Sequence, residues 1–366
     1  MKFFLKNRIF AVNYLAICSL LFGMASCNKI TPEPIDVIVP TRSINTSQLL
    51  SYKSNLANRN IAVGIIYDWG IKDGSQLMHT PDSLDMIIIR GDVSNLSEVQ
   101  QKDLENVQSI KGTKVLSSFE IEEVSEDLPK NTYPTDSAST RRDKLLAKWV
   151  AENPSATFAQ RRAQSDTIYK YQLIDAQKEY TKLFVATIDK KFEPLKANLE
   201  QLKNSTFDGI SIKLPSIRSG TLTDKDVDNL ISDHISNIQN GLGKKLILII
   251  ENPQEVISNA AKIADWLIYN QNTAVNSFAN FSNSALFFPS NKFIASVDLS
   301  SETDEEGFAD TDYFGPNGIL SRSLDITNWS APNKAGVAYI HLEKDYHNLS
   351  GNLTYSTVRY GIKKIN

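Results

Sequence analysis

The chain is 366 residues long, 41% hydrophobic and 22% charged, with a formal net charge of −3. This length is enough to bury the core of one large domain. The mildly acidic balance, without a run of basic residues, gives no support for nucleic-acid binding, and no nucleic-acid partner is predicted.

The first 26 residues have the form of an export signal. Three Lys or Arg residues precede an apolar run over residues 9–24, and the small residues of "MASC" lead directly to Cys27. Such an ending resembles the bacterial lipobox, and this resemblance implies cleavage before Cys27 and a diacylglycerol on its sulfur. The alternatives are an ordinary signal peptide and an uncleaved anchor.

Cleavage there would leave a mature chain with one cysteine, because Cys18 lies in the apolar run. An exported protein without disulfides must be held together by its core. Residues 28–45 contain three prolines and little hydrophobic pattern, as is typical of a spacer. We therefore predict a signal peptide at 1–26, a lipidated Cys27 with a flexible tether at 27–50, and one folded domain at 51–366.

Eight short apolar runs follow the tether, and helical patterns lie between them. Most runs are continuous Val, Ile and Leu, as expected for strands buried on both faces. Eight strands with helical crossovers predict an α/β fold, the (β/α)8 TIM barrel. The competing fold, an open doubly wound sheet, would call for a glycine-rich loop after the first strand, and none is present. The runs are at 61–69, 84–91, 113–121, 207–215, 244–252, 264–271, 292–300 and 335–343.

The interval between the third and fourth runs is too long for one crossover helix. Roughly 85 residues separate the two runs, beginning with a polar, turn-rich stretch and continuing with helical patterns around and beyond Trp149. We predict a long insertion, spanning about 122–166, on the C-terminal face where barrel enzymes build their sites.

The fourth run, "FDGISIKLP", resembles the active-site strand of glycoside hydrolase family 18, the chitinases and endo-β-N-acetylglucosaminidases. The endoglycosidase branch is the more similar. The family pattern is D-G-x-D-x-D-x-E. Asp208, Gly209, Ile210 and Ile212 fit this pattern, whereas Ser211, Lys213 and Pro215 stand where it has acids.

The three positions that lack an acid are those at which the family's catalytic mechanism uses one. Side chains alternate along a strand, so Ser211, Lys213 and Pro215 should point inward. The resemblance implies that the family's Glu is a general acid and that its adjacent Asp orients the substrate's acetamido group. General acid catalysis alone is worth about 10²–10⁴ in rate, so the inherited mechanism should not run. If the likeness is coincidental, Lys213 would need a carboxylate partner, for which Asp208 is a candidate.

Other acids end neighbouring strands and could replace the missing ones. Each could equally be a solvated loop charge. The four His residues, at 79, 234, 341 and 347, show no metal-ligand spacing, so no metal and no cofactor are predicted. Of these, His341 is the one expected to face the site. The acids are Glu120, Glu251, Asp298 and Glu343.

Aromatic, amide and carboxylate groups at strand ends are the groups that bind sugars. For Trp69 and Trp329 both ligand contact and packing stay open. Core packing is expected of Trp266, and packing of the insertion, or a lid, of Trp149. The resemblance places a substrate-contacting Tyr at Tyr269. The candidate ligand-binding residues are Tyr67, Trp69, Phe119, Asp208, Tyr269, Asn270, Gln271, Asp298, Trp329, Tyr339 and His341.

These observations favour a lipid-anchored, catalytically inactive barrel that binds oligosaccharides. Its resemblance to surface lipoproteins of the Bacteroidetes implies an outer-membrane location, N-acetylglucosamine-containing glycans (N-glycans among them) as ligands, and a neighbouring glycan transporter as partner. One alternative is an active endo-β-N-acetylglucosaminidase with a relocated acid. The other is a protein-interaction barrel that binds no sugar.

Overall fold

The computed structural model describes residues 45–366 apart from a set of short segments. The predicted signal, Cys27 and most of the tether lie outside the described residues, as do Asn270 and Gln271. The segments left out are 216, 218–219, 243–245, 253–257, 270–281, 284, 287, 302–306, 311, 316–317 and 349–352.

Eight parallel strands close into a barrel in the order β1-β10-β7-β6-β5-β4-β3-β2, which confirms the predicted (β/α)8 fold. A separate antiparallel hairpin, β8 (Asp312–Gly315) with β9 (Gly318–Ser321), lies in the chain between β7 and β10. The barrel strands are β1 (Ile61–Ile66), β2 (Met86–Ile89), β3 (Lys114–Glu120), β4 (Gly209–Lys213), β5 (Ile247–Glu251), β6 (Trp266–Tyr269), β7 (Phe293–Asp298) and β10 (Lys334–Ile340).

Helices follow most of the strands and cover the outer face of the barrel. Among the described residues, none of them has the length and apolar character needed to cross a bilayer. They are α1 (Thr46–Lys53), α2 (Glu98–Asn106), α3 (Tyr133–Glu152), α4 (Phe158–Ala197), α5 (Leu199–Asn204), α6 (Asp224–Leu242), α7 (Ser258–Ile263), α8 (Arg322–Asn328) and α9 (Ser356–Ile365).

Alternation along the strands produces two apolar clusters. Ile61, Val63 and Ile65 of β1 belong to a cluster inside the barrel. Ala62 and Ile66, from the same strand, pack in the larger cluster between the sheet and the helices. Both faces of the strand are therefore shielded from water, which explains why the strands are continuous apolar runs in the sequence.

The first helix lies at the start of the compact unit, which runs from Thr46 to Asn366. This helix, α1, begins at Thr46, inside the range predicted for the tether, and ends at Lys53. Lys53 is buried and donates a 2.6 Å hydrogen bond to Thr113 Oγ1. Burial lowers the pKa of Lys53 to about 7.

The predicted insertion is a helical hairpin formed by α3 and the first half of α4. The 40 residues of α4 correspond to about 60 Å of helix. Its second half packs on the barrel through residues spaced three or four apart, while its first half pairs with α3. Arg141 of α3 and Glu179 of α4 form a 2.6 Å salt bridge. The buried α4 residues are Ala176, Tyr180, Phe184, Ile188, Phe192 and Leu195.

Candidate functional site

The fourth strand has the orientation that its alternation predicts. Ile210, Ile212 and Leu214 pack in the outer cluster. Ser211 is fully buried and its hydroxyl donates a 2.5 Å hydrogen bond to Oε1 of Glu251 on β5. The inward positions of β4 therefore hold a hydroxyl, on Ser211, and an amine, on Lys213.

A salt bridge crosses the C-terminal end of the barrel. Arg90, directly after β2, binds the second oxygen of Glu251, the last residue of β5. In the barrel these two strands are separated by β3 and β4, so the bridge spans the interior and forms a floor beneath the mouth. Glu251 is fully buried and the Arg90 side chain is 8% exposed. Burial opposes the charge on Arg90, but the attraction of Glu251 and Tyr67 outweighs it and raises the pKa of Arg90.

This floor still presents hydrogen-bond donors. Nε and Nη1 of Arg90 are buried and find no acceptor of good geometry among the described residues. Tyr67, the residue after β1, interacts with Arg90, and burial raises the pKa of its hydroxyl. A buried guanidinium with spare donors is suited to an oxygen-rich ligand or to ordered water.

Lys213 pairs with Glu120 and not with Asp208. The last residues of three strands, Glu120, Lys213 and Glu251, are in register across β3, β4 and β5. Lys213 Nζ lies 2.6 Å from Glu120 Oε1, and both side chains are partly exposed at the mouth. A lysine therefore sits between two carboxylates where the family pattern has an acid.

Asp208, one of the predicted ligand-binding residues, lies at the opposite end of the barrel from the mouth. It precedes β4 and forms a 2.9 Å salt bridge with Lys114, at the start of β3. Its second oxygen accepts hydrogen bonds from the Val115 amide and from Gln108. These residues lie at the N-terminal end of the barrel, whereas TIM-barrel enzymes place their active sites at the C-terminal end. The "DG" of the motif thus fastens two strands together.

Asp298 and His341 form a third polar pair at the mouth. Asp298 ends β7, and its Oδ1 lies 2.7 Å from Nδ1 of His341, the residue after β10. Burial acts to raise the pKa of Asp298, but His341 and Ser300 hold it below its ordinary value. The His341 ring stacks on Tyr67 at 4.0 Å between centroids. These two rings are the aromatic surface that the described strand ends contribute to the mouth.

Glu343 is close to the mouth in sequence but is buried. One of its oxygens accepts a 3.2 Å hydrogen bond from the Tyr67 amide. Burial raises its pKa. Its contact is with the backbone of Tyr67, and the residue is 6% exposed, so it offers little surface to a ligand.

The two tryptophans whose roles were left open are packing residues. Trp69 is buried in the outer cluster, and its indole donates 2.9 Å to Asp103 of α2. Trp329 is 1% exposed, packs edge-on against Phe293 and donates 3.0 Å to Ser282. Both were placed at the mouth because they adjoin strand ends. The side chains instead turn outward, where an indole finds both an apolar cover and an acceptor.

Three other predicted ligand residues also face outward. Tyr339 is fully buried against α9, where its hydroxyl fills the space above Gly361. Tyr269 packs on Phe293 at 5.6 Å in the outer cluster. Phe119 is half-buried on the outer side of β3. Trp266 packs against the inner cluster, as predicted, and Trp149 is half-buried on α3.

Of the predicted ligand residues, the structure brings Tyr67, Asp298 and His341 together. Glu120 and Glu251, which the sequence offered only as alternative acids, join them. Arg90 was missed, although an arginine directly after the buried run "MIII" was a usable signal. No cluster of three or more metal-ligating side chains occurs among the described residues.

Comparisons with known proteins support the fold. No family model matches the chain, and no curated protein matches it. A solved selenomethionine structure of BT1044 with one Glu-to-Gln substitution superposes with a TM-score of 0.52, at 16% identity, over 90% of this chain and 94% of its own. At this identity the likeness shows the barrel fold alone.

Two enzymes superpose less well. A chitinase from Bacteroides thetaiotaomicron has a TM-score of 0.43 at 12% identity, over 84% of this chain and 96% of its own. A glycoside hydrolase family 18 N-acetylglucosaminidase from Paenibacillus barengoltzii has a TM-score of 0.37 at 9% identity, over 82% and 99%. Both superpositions are too loose to transfer a residue or an activity to this chain.

Proposed function

We propose that this protein is a lipid-anchored, catalytically inactive barrel that binds glycans at its C-terminal mouth. The observation that carries the proposal is the state of β4: its inward positions are Ser211 and Lys213, and each is bonded to a neighbouring carboxylate. The strand that resembles a catalytic strand therefore holds its neighbours' acids instead of supplying its own.

The geometry disfavours a relocated acid. Both oxygens of Glu251 accept hydrogen bonds, from Arg90 and Ser211, whereas a general acid must donate a proton to the leaving oxygen. Glu120 is paired with Lys213, and Asp298 with His341. Each candidate acid is already bound to a cation or a donor.

The same arrangement suits an uncharged, hydroxyl-rich ligand. The Arg90–Glu251 floor presents a guanidinium, the Lys213–Glu120 and Asp298–His341 pairs add charged groups at the mouth, and the Tyr67 and His341 rings offer an apolar face. Sugars present C–H faces to aromatic rings and hydroxyls to charged groups. The resemblance of β4 to the family-18 strand adds the ligand class: N-acetylglucosamine-containing glycans, among them N-glycans.

The anchor and the location belong to the same proposal. The "MASC" sequence before position 28 supports lipidation of Cys27 and attachment to the outer membrane. A tethered binder beside a glycan transporter gains from avidity, so weak affinity at one mouth would suffice. Metabolic labelling with palmitate tests this: label should enter the wild-type chain and not Cys27→Ser, and label in the variant would contradict lipidation.

A glycan panel tests the binding. The purified full-length chain, titrated against neutral and acidic glycans, should bind at least one N-acetylglucosamine-containing glycan. Tyr67→Ala should weaken this binding by about tenfold or more, because its ring is the stacking surface. Tyr171→Ala, on the exposed face of α4, is the matched control and should bind as wild type.

Incubation with a high-mannose glycoprotein tests the inactivity. The proposal expects the glycoprotein to keep its glycans. Their release, abolished in Glu251→Gln or Glu120→Gln, would establish an endoglycosidase with a relocated acid. Absence of binding to the whole panel, with the chain folded, would favour a protein-interaction barrel.

A further inference from the structure

A second cleft lies on the outer flank of the barrel. It has a volume of about 810 Å³ and opens between the loop after β2, helix α2 and helix α5, with Ser117 and Phe119 of β3 among its lining residues. This volume is within the range of small-molecule sites, about 300–1,000 Å³. Ser117 and Phe119 line it from the outer face of β3, whereas Glu120 at the mouth faces inward.

Specific hydrogen bonds connect the elements that form the walls of this flank cleft. Gln201 of α5 donates a 3.0 Å bond to the Ser94 carbonyl, in the loop after β2. Gln108 donates 2.9 Å to the Thr206 carbonyl and 2.8 Å to Asp208. These bonds link the two sides of the cleft, so its shape is set before any ligand arrives.

The lining offers polar groups that the protein leaves unused. Ser117 is 3% exposed, and its hydroxyl has no hydrogen-bond partner among the described residues. The Asn198 amide, the Thr206 hydroxyl and the Glu105 carboxylate also lack a side-chain partner within the part of the chain that the structure describes, and all three residues are exposed. Such solvated groups can exchange their water for the hydroxyls of a ligand.

The composition of the lining selects the ligand. The aromatic rings of Phe119 and Phe207 lie among hydroxyls, amides and the two carboxylates of Asp92 and Glu105, and none of the lining residues is a Lys or Arg. An anion would therefore find no counter-charge. Apolar rings beside neutral donors and acceptors match the C–H faces and hydroxyls of an uncharged sugar.

We propose that the flank cleft is a second saccharide-binding site, which takes one or two residues of a neutral sugar against Phe119. Ser117 and Asn198 bind its hydroxyls. The site is independent of the mouth in its chemistry, and a glycan held at both sites would be retained by avidity.

Fluorine NMR tests the proposal on the full-length chain labelled with fluorophenylalanine. Phe119→Leu assigns the Phe119 resonance by its disappearance. Titration with maltose, cellobiose, mannobiose and diacetylchitobiose should shift that resonance with at least one sugar, saturating in the millimolar range. Ser117→Ala and Asn198→Ala should each weaken this binding by about fivefold, the loss of one hydrogen bond.

Two matched variants separate this site from the mouth and from general surface effects. Gln177→Ala, exposed on α4, should leave the titration unchanged. Tyr67→Ala, at the mouth, should also leave the Phe119 shift unchanged, even if it abolishes binding there. A mouth that binds nothing would thus leave this test intact.

Several outcomes would overturn the proposal. One is a flat titration, in which none of the sugars shifts the Phe119 resonance even at concentrations about a hundred times above the millimolar range expected for binding. Others are equal affinity in Asn198→Ala, a surface variant that should fold, or loss of the shift in Tyr67→Ala. A response to spermidine and not to sugars would identify a cation site.

Discussion

Ser211 on β4 and Glu251 on β5 are joined by a 2.5 Å hydrogen bond inside the barrel, and Arg90 binds the other carboxylate oxygen from across the mouth. This triad places a buried, paired charge at the C-terminal ends of β4 and β5. Buried pairs contribute little when complete but cost much when one partner is lost.

Glu251→Gln should therefore destabilise the protein by about 3–5 kcal/mol, because Arg90 would be left buried without its counter-charge. Urea unfolding at pH 7 measures the change. Glu120→Gln removes one carboxylate of the exposed Lys213 pair and should cost less than about 1 kcal/mol. Equal losses in the two variants would show that the Arg90 pair is not desolvated as described.

Asp208→Asn should lower stability without altering glycan binding. Asp208 binds Lys114 and the Val115 amide at the N-terminal end of the barrel. Losing the charged partner should cost about 1–3 kcal/mol in urea unfolding. Glycan affinity at the mouth should stay at the wild-type value; a tenfold loss in a folded variant would return Asp208 to the binding site.

Gly361→Ala should destabilise the protein by about 1–3 kcal/mol through overpacking. A Cβ at this position would lie 1.8 Å from the Tyr339 hydroxyl. Tyr339→Phe removes that oxygen, so the double variant should recover part of the loss. A double-mutant cycle from thermal unfolding measures the coupling, and simple additivity would mean that Tyr339 does not point at α9.

Asp345 should contribute stability that is lost as the pH rises from about 4 to 6. Burial raises the pKa of this carboxyl from 3.8 to about 6. The folded state therefore keeps its proton where the unfolded state loses it, and the stabilisation present below pH 4 disappears above pH 6. The difference of about two between the folded and unfolded pKa values corresponds to a change of at most about 3 kcal/mol in the free energy of unfolding.

Asp345→Asn provides the control for that slope. The amide cannot titrate, so the free energy of unfolding of the variant should decline less between pH 4 and 6 than that of wild type. Urea unfolding at half-unit pH steps measures both slopes. Parallel slopes would show that Asp345 ionises normally in the folded protein.

The barrel could be predicted from the sequence because both faces of each strand are apolar. Runs such as 61–69 and 207–215 are continuous, and their length excludes helices of ordinary size. The alternation within "FDGISIKLP" also predicted correctly that Ile210 and Ile212 face the helices. The insertion was visible as an interval too long for one crossover.

The site was harder to predict because a strand end does not say which way its side chain turns. Trp69 and Trp329 adjoin strand ends, yet each found an acceptor and an apolar cover outside the barrel. The pairing of Arg90 with Glu251 could not be predicted because the two residues are 161 positions apart in the chain. Pairings of this kind depend on barrel closure and leave no local pattern.

The sequence by itself determined the fold class and the residue types on the two faces of the fourth strand, because both depend on the order of residue types along the strands. The tertiary structure decided which charges meet. Closure of the barrel brings Arg90 to Glu251, and the alignment of β3 with β4 brings Glu120 to Lys213. Electrostatic partners are set by distance in space, and for these residues only the folded barrel supplies that distance.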